Sequence, residues 1–143
     1  MTHKAIKEGD LEALKTCLKA AGYIEGKLVP KAAMDLLEQR CPEGKTCFFT
    51  AVEHQKTEII DYLLETERFP GLNLNCKDTF EGDIPLIMAV RVGNHSLVKQ
   101  LYDLNPDRCL FQNFKGHNAV FIATQNEDIN MLEIFAEKKY DAL

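Results

Sequence analysis

The sequence predicts an all-α protein, built as a solenoid of repeated pairs of helices. Three segments share a glycine and, seven residues later, an alanine: Gly44 and Ala51, Gly82 and Ala89, Gly116 and Ala123. The three glycines lie 38 and 34 residues apart, and a period in that range is typical of helical repeat proteins. Each alanine is followed by apolar residues in helical spacing, as in Ile59, Ile60, Leu63 and Leu64. Every repeat therefore carries two short helices with one apolar side.

Each of these repeats begins with a turn and a first helix. The glycine suits a turn in which φ is positive, and Thr46 and Asn118 follow it where a side chain would cap the first helix. In the middle segment Ile84 occupies that position and cannot cap, but Pro85 suits the first turn of a helix. The alanine is small enough for two helices to cross closely. Neither helix can bury its apolar side alone, so the repeats must stack on each other.

The first twenty residues predict a shortened first repeat. Leu11, Leu14 and Leu18 would form the inner side of its second helix, whereas Lys4 and Lys15 would face outwards. A polar outer face is what a terminal capping repeat needs.

This pattern resembles the ankyrin repeat, a β-turn and two antiparallel helices over about 33 residues with a Thr-Pro-Leu-His-x-Ala core motif. The third repeat matches best, with Pro85, Leu86 and Ala89, and with Gly93 in the place of the glycine that joins the two helices. Residues 72–78 resemble the family's Ala-Asp-Val-Asn-Ala-Lys-Asp hairpin. The resemblance implies a stack of helix-turn-helix repeats that binds other proteins.

The resemblance covers most of the chain but is not exact. Phe49, Ile87 and Phe121 stand where the family has histidine, and Gln55 and Glu127 replace the glycine that joins the helices. We expect these departures to lower local stability without changing the fold.

We expect a single domain of about four repeats, the first a capping repeat, with approximate bounds 2–20, 43–78, 79–113 and 114–143. Residues 22–42 are an insertion between the first two repeats. Within it, Pro30–Arg40 predicts an extra helix that begins at a proline and contains no helix breaker. A second insertion, Thr66–Gly71, lengthens the second hairpin entry.

Composition and charge narrow the class of partner. No apolar run approaches the ~20 residues of a membrane-spanning helix, and the N-terminus does not resemble a secretory signal. The net charge is −5, and the sequence has no local run of Lys and Arg that would bind phosphate backbones. We therefore expect a cytoplasmic or otherwise intracellular protein, monomeric by itself, that binds neither nucleic acid nor membrane.

The five cysteines and the four histidines give no enzyme motif. No two cysteines stand in a C-x-x-C pair, and G-x-S-x-G, P-loop, H-E-x-x-H and G-x-G-x-x-G motifs are absent. We expect reduced thiols, no metal, no cofactor and no enzymatic activity. The enzyme-class alternative is a metal or thiol site formed by Cys41, Cys47 and His54.

The repeat register selects candidate partner-binding residues at the turns, at the hairpin tips and on the exposed side of each first helix. They are Lys45, Thr50, Glu53, His54, Phe80, Asp83, Met88, Arg91, Val92, Phe114, His117, Ile122, Gln125 and Asn126. Arg91, flanked by Met88 and Val92, is expected to be exposed at the centre of a concave face.

The function this implies is non-enzymatic binding of a partner protein through the concave face and the hairpin tips. The alternative is that the chain is a fragment of a larger enzyme or bacterial effector, in which it would serve as a targeting or substrate-recruitment domain. In an effector, the host cell cytoplasm would be the place of action.

Overall fold

The computed structural model describes residues 2–65 and 68–141. Over these residues the secondary structure consists of nine α-helices and one 3-10 helix, without strands. The chain divides into two compact units, residues 1–76 and residues 77–143.

The first compact unit contains five helices: α1 (Thr2–Glu8), α2 (Leu11–Ala20), α3 (Lys31–Glu38), α4 (Cys47–Glu53) and α5 (Thr57–Leu64). Helix α1 packs on α2 and α4, and α4 packs on α5. Helix α3 lies within the insertion and contacts α2 and α4. It begins after Pro30 and ends two residues before Arg40. Of the second insertion, Thr66 and Glu67 lie outside the described residues.

The second compact unit contains four α-helices and the 3-10 helix: α6 (Pro85–Val92), α7 (His95–Leu104), the 3-10 helix (Pro106–Leu110), α8 (Ala119–Gln125) and α9 (Ile129–Asp141). Helix α6 packs on α7 and α8, and α9 packs on α7 and α8. Tyr102 of α7 packs against Phe135 of α9 in this core. The two rings meet edge-on with their centroids 5.2 Å apart, and the Tyr102 hydroxyl donates a hydrogen bond to the Phe135 carbonyl.

The helix starts follow the repeat register. The Thr46 hydroxyl accepts a hydrogen bond from the Phe49 N–H at 3.3 Å, and the Asn118 side chain accepts one from the Phe121 N–H at 2.8 Å. Ile84 provides no side-chain cap, and Pro85 occupies the first turn of α6. Ala51, Ala89 and Ala123 are completely buried, which fits close crossing of the paired helices. The repeat positions therefore carry the structural roles that the register assigned to them.

The link between the two helices of a repeat adopts a left-handed backbone in three successive repeats. Gly93 has φ = 75°, while the non-glycine residues Gln55 and Glu127 have φ = 55° and 57°. A side chain in this region clashes with its own backbone, a strain that glycine lacks. The family resemblance therefore located two strained positions correctly.

Replacing Gln55 and Glu127 with glycine is expected to stabilise the protein. Each change should raise the free energy of unfolding by about 0.5–1 kcal/mol, since relief of left-handed strain outweighs the added freedom of the unfolded chain. Urea denaturation should show a higher midpoint with an unchanged slope. The reciprocal control, Gly93→Ala, should lower the midpoint. An unchanged or lower midpoint in both glycine variants would contradict this account of the links.

Candidate functional site

Two phenylalanines project from neighbouring hairpin tips of the second compact unit. Phe80 and Phe114 are 72% and 64% exposed, and each lies two residues before a turn glycine. The tips touch through the backbone, because the Phe114 N–H donates to the Glu81 carbonyl over 2.9 Å. Two large apolar side chains are thus left in solvent within one local structure.

Gly82 allows the Phe114 ring to lie against the neighbouring hairpin. Gly82 has φ = +70°, and a Cβ added there would come within 2.5 Å of the Phe114 ring. The ring therefore occupies space that any other residue at position 82 would fill. The ammonium of Lys77 lies 6.0 Å from the ring centroid and donates to the Gln112 carbonyl at 3.0 Å.

Two polar side chains that the sequence analysis missed hold these tips in shape. Asp78 Oδ1 accepts hydrogen bonds from the N–H groups of Glu81 and Asp83, and Asn113 Oδ1 accepts them from the N–H groups of Lys115 and His117, four bonds of 3.0–3.2 Å. Both acceptors are buried. In the sequence, the signal is an Asp or Asn three to four residues before a turn glycine. Such a side chain can accept hydrogen bonds from backbone N–H groups of the turn that follows it.

Asp83 was expected at an exposed turn, and this is wrong, because its side chain is completely buried. Its carboxylate accepts hydrogen bonds from Arg91 Nε at 2.7 Å, from Arg91 Nη2 at 3.4 Å and from Asn113 Nδ2 at 3.1 Å. The Arg91 side chain keeps about a third of its surface exposed. Arg91 is therefore not the free central side chain that the sequence suggested, since its guanidinium neutralises a buried carboxylate.

The second repeat contains the same pair with its charges reversed. Lys45, also expected to be exposed, is buried, and its ammonium lies 2.8–2.9 Å from both carboxylate oxygens of Glu53. It also contacts Glu43 at 2.8 Å, and its hydrogen bond and charge lower the pKa of that carboxyl. Burial alone would lower the pKa of Lys45, but the two carboxylates outweigh it and the pKa is raised.

Two further candidates are buried, which corrects the expected placement on an exposed face. Thr50 is 1% exposed because α1 packs on α4, and its hydroxyl lies 3.2 Å from Nδ1 of His3. Ile122 is 1% exposed in α8, between neighbouring helices of its compact unit. Neither side chain can reach a partner without unfolding its surroundings.

His54 of the first compact unit is exposed at the end of α4.

The remaining candidates lie on or beside α6 and α8 of the second compact unit. Met88 and Val92 are half-buried on α6, and Gln125 and Asn126 are exposed at the end of α8. His117 stacks on Phe121, with ring centroids 4.0 Å apart, on the first turn of α8. Phe121, 44% exposed, was not among the candidates and adds apolar area beside the tips.

The geometry around Cys47 does not suit thiol chemistry. The Cys47 side chain is buried, and burial raises the pKa of its thiol to about 12, whereas a nucleophile or metal ligand must be a thiolate. Its thiol contacts the Leu36 carbonyl at 3.8 Å. Within residues 2–65 and 68–141, no three His, Cys, Asp or Glu side chains come together as metal ligands would.

No helix among the described residues is both long and apolar enough to cross a membrane.

Comparison with known proteins gives a consistent result. A family model described as ankyrin repeats, in three copies, matches residues 2–107. No curated protein sequence matches the chain significantly. The crystal structure of the ankyrin repeat domain of Bcl-3, described as a unique member of the IkappaB protein family, superposes with a TM-score of 0.73 over 95% of this chain. The two share 24% sequence identity, so this likeness concerns the fold, and the chain spans 54% of that domain's length.

The family match covers well over half of the sequence and agrees with the helix pairs, the turn positions and the left-handed links described above. Ankyrin repeats are generally protein–protein interaction modules, and their fold is typically non-catalytic. The chain belongs to the ankyrin repeat family.

Proposed function

We propose that this chain binds a partner protein through a tip surface on its second compact unit, defined by Phe80, Phe114, His117 and Phe121. The observation that carries the proposal is the exposure of Phe80 and Phe114 at two tips that are hydrogen-bonded to each other. Clustered exposed aromatic side chains are the type of residue that dominates binding energy at protein interfaces.

The rigidity of the tips supports the same proposal. Asp78 and Asn113 fix the hairpin backbones, and the Phe114 ring lies against Gly82. A side chain that is already held in place loses little conformational freedom when a partner covers it, so more of the buried apolar area contributes to affinity. Of the other candidates, Gln125 and Asn126 at the end of α8 would add polar contacts, and Met88 and Val92 on α6 would add apolar ones.

Binding inside the cell is part of this proposal. The five cysteines are free thiols, two of them buried and three half-buried. Free thiols persist best in a reducing compartment, which favours the cytoplasm over an oxidising one.

The double variant Phe80→Ala, Phe114→Ala tests the tip surface. We expect it to weaken partner binding by about 2 kcal/mol or more, roughly thirtyfold in Kd, if the two rings form the centre of the contact. The partner would be isolated from the source cells with the immobilised chain, identified by mass spectrometry, produced in pure form and titrated by calorimetry. The melting temperature should stay nearly unchanged, because both rings are largely exposed.

The matched control is Leu104→Ala, Leu110→Ala. These side chains are 62% and 67% exposed in the same compact unit and belong to α7 and the 3-10 helix, not to the tip surface, so their loss should leave binding intact. If the leucine variant abolishes binding and the phenylalanine variant does not, the partner uses the region around the 3-10 helix and the tip surface must be given up.

A further inference from the structure

We propose that the first compact unit carries a second interaction surface, which docks on an anionic lipid membrane. This surface, the lysine–leucine loop, consists of Lys15 and Lys19 on α2, residues 21–30 and Lys31 at the start of α3. Peripheral docking of this kind does not require a membrane-spanning helix. It departs from the expectation of no membrane contact and is independent of the tip surface.

The apolar part of the loop projects into solvent. Leu28 is 95% exposed and Ile24 is 64% exposed. A turn joins them, in which the Lys27 N–H donates to the Ile24 carbonyl at 3.1 Å and Gly26 adopts φ = +78°. A folded protein partner would need a shaped pocket for such a side chain, whereas the fluid hydrocarbon at a membrane surface accepts it without one.

The charged part of the loop is basic in a chain of net charge −5. Residues 15–31 contain four lysines and one carboxylate, that of Glu25. Lys19 and Lys27 are exposed and form no ion pair with a carboxylate of the described residues. The lysines are spaced along the sequence, but Lys15 and Lys19 line one cavity together with Ile24, and Lys27 and Leu28 line another.

The single carboxylate of the loop is directed to internal partners. Glu25 accepts hydrogen bonds from the hydroxyls of Tyr23 at 3.3 Å and Tyr62 at 3.1 Å, and it lies 3.4 Å from Nε of Arg68. Arg68 also contacts Glu65 and lies 4.2 Å above the Tyr62 ring. Glu25 thus holds the base of the loop, although its side chain is 59% exposed. Arg68 is shared between Glu25 and Glu65, so this group keeps one negative charge against the four positive charges of the lysines.

Two other carboxylates reduce that charge without cancelling it. Glu12 lies 3.7 Å from the Lys15 ammonium, and Asp35 stands one helical turn after Lys31. Lys19, which precedes the apolar tip in sequence, and Lys27, which lies within it, keep their charge for an anionic partner. Lysine side chains with their long stems suit a membrane surface, because the stem contacts apolar material while the ammonium reaches the headgroups.

The test is sedimentation of the purified full chain with vesicles of phosphatidylcholine and phosphatidylserine in a ratio of about 3:1, and with vesicles of phosphatidylcholine alone. We expect binding to the mixed vesicles, loss of binding at high salt, and little binding to the neutral ones. Ile24→Ser with Leu28→Ser, and separately Lys19→Glu with Lys27→Glu, should each weaken binding by about tenfold or more. All four side chains are exposed, so circular dichroism should show unchanged melting.

The matched controls carry the same substitutions elsewhere. Leu104→Ser with Leu110→Ser removes leucines that are 62% and 67% exposed, and Lys4→Glu with Lys99→Glu makes the same change of net charge, so both should bind like the original chain. Equal losses in controls and loop variants, or no sedimentation with the mixed vesicles, would overturn the proposal. So would complete competition by soluble glycerophosphoserine, which would mean a simple anion site. The proposal would also be overturned if the chain bound an acidic protein through this loop but did not sediment with vesicles. The partner would then be a protein.

Discussion

Replacing Ala89 with aspartate should unfold the second compact unit. Ala89 is completely buried in α6, which packs on both α7 and α8. A carboxylate placed there would lose its hydration without gaining a partner, at a cost of several kcal/mol. Small domains have only about 5–15 kcal/mol of stability, so the buried carboxylate would remove a large share of the free energy of unfolding. Circular dichroism should show reduced helicity, or melting lowered by well over ten degrees.

The control for this variant is Ala136→Asp in α9. Ala136 is exposed, so the same substitution carries the same cost in helix propensity but no burial of charge. It should shift melting by only a few degrees. Should the two variants melt alike, Ala89 does not lie at a tight helix crossing and the repeat register is misplaced.

Replacing Arg91 with methionine is expected to produce the second largest effect. Methionine keeps much of the side-chain volume but removes the guanidinium that binds the buried Asp83 carboxylate. Among the described side chains, the hydrogen bond from Asn113 then remains. Breaking a fully buried pair costs about 3–5 kcal/mol, and the partial exposure of Arg91 lets water offset some of that loss. We expect a loss of about 2 kcal/mol in the free energy of unfolding, measured by urea denaturation.

The second repeat suggests how to rescue this loss. There a lysine follows the turn glycine and a glutamate ends the first helix, the reverse of the order in the third repeat. The swap Asp83→Lys with Arg91→Glu should therefore recover part of the stability that either single change loses. Recovery is incomplete because Asn113 Nδ2 would then face an ammonium instead of a carboxylate. A double variant as unstable as the sum of the single ones would show that the pair is not the source of the stability.

The repeat register could be predicted because it depends on local properties of the chain. The capping roles of Thr46 and Asn118, the missing cap at Ile84 and the left-handed links at Gln55 and Glu127 all follow from residue type at a fixed offset. Each involves contacts within a few residues, so spacing and side-chain chemistry were sufficient.

Exposure could not be predicted in the same way, because it depends on what covers a helix face. Periodicity placed Thr50 opposite the core of its own repeat, but α1 packs on α4 and buries it. The repeat register assigned Asp83 and Arg91 to the surface; Arg91 is exposed there, but Asp83 is buried beneath its guanidinium. The opposite charges eight residues apart in two repeats were visible in the sequence, and read together they would have predicted a pair.

The placement of these ion pairs has a consequence for how such an array can change during evolution. Lys45 with Glu53, and Asp83 with Arg91, each lie within one repeat, so a repeat can be copied, exchanged or inverted in polarity without a matching change in its neighbour. The bond from Asn113 to Asp83 is different, because Asn113 also accepts hydrogen bonds from Lys115 and His117 in the turn that opens the fourth repeat. Cutting or copying the array at this turn should therefore disturb the buried Asp83 carboxylate as well, which makes a cut between the second and third repeats the less costly one.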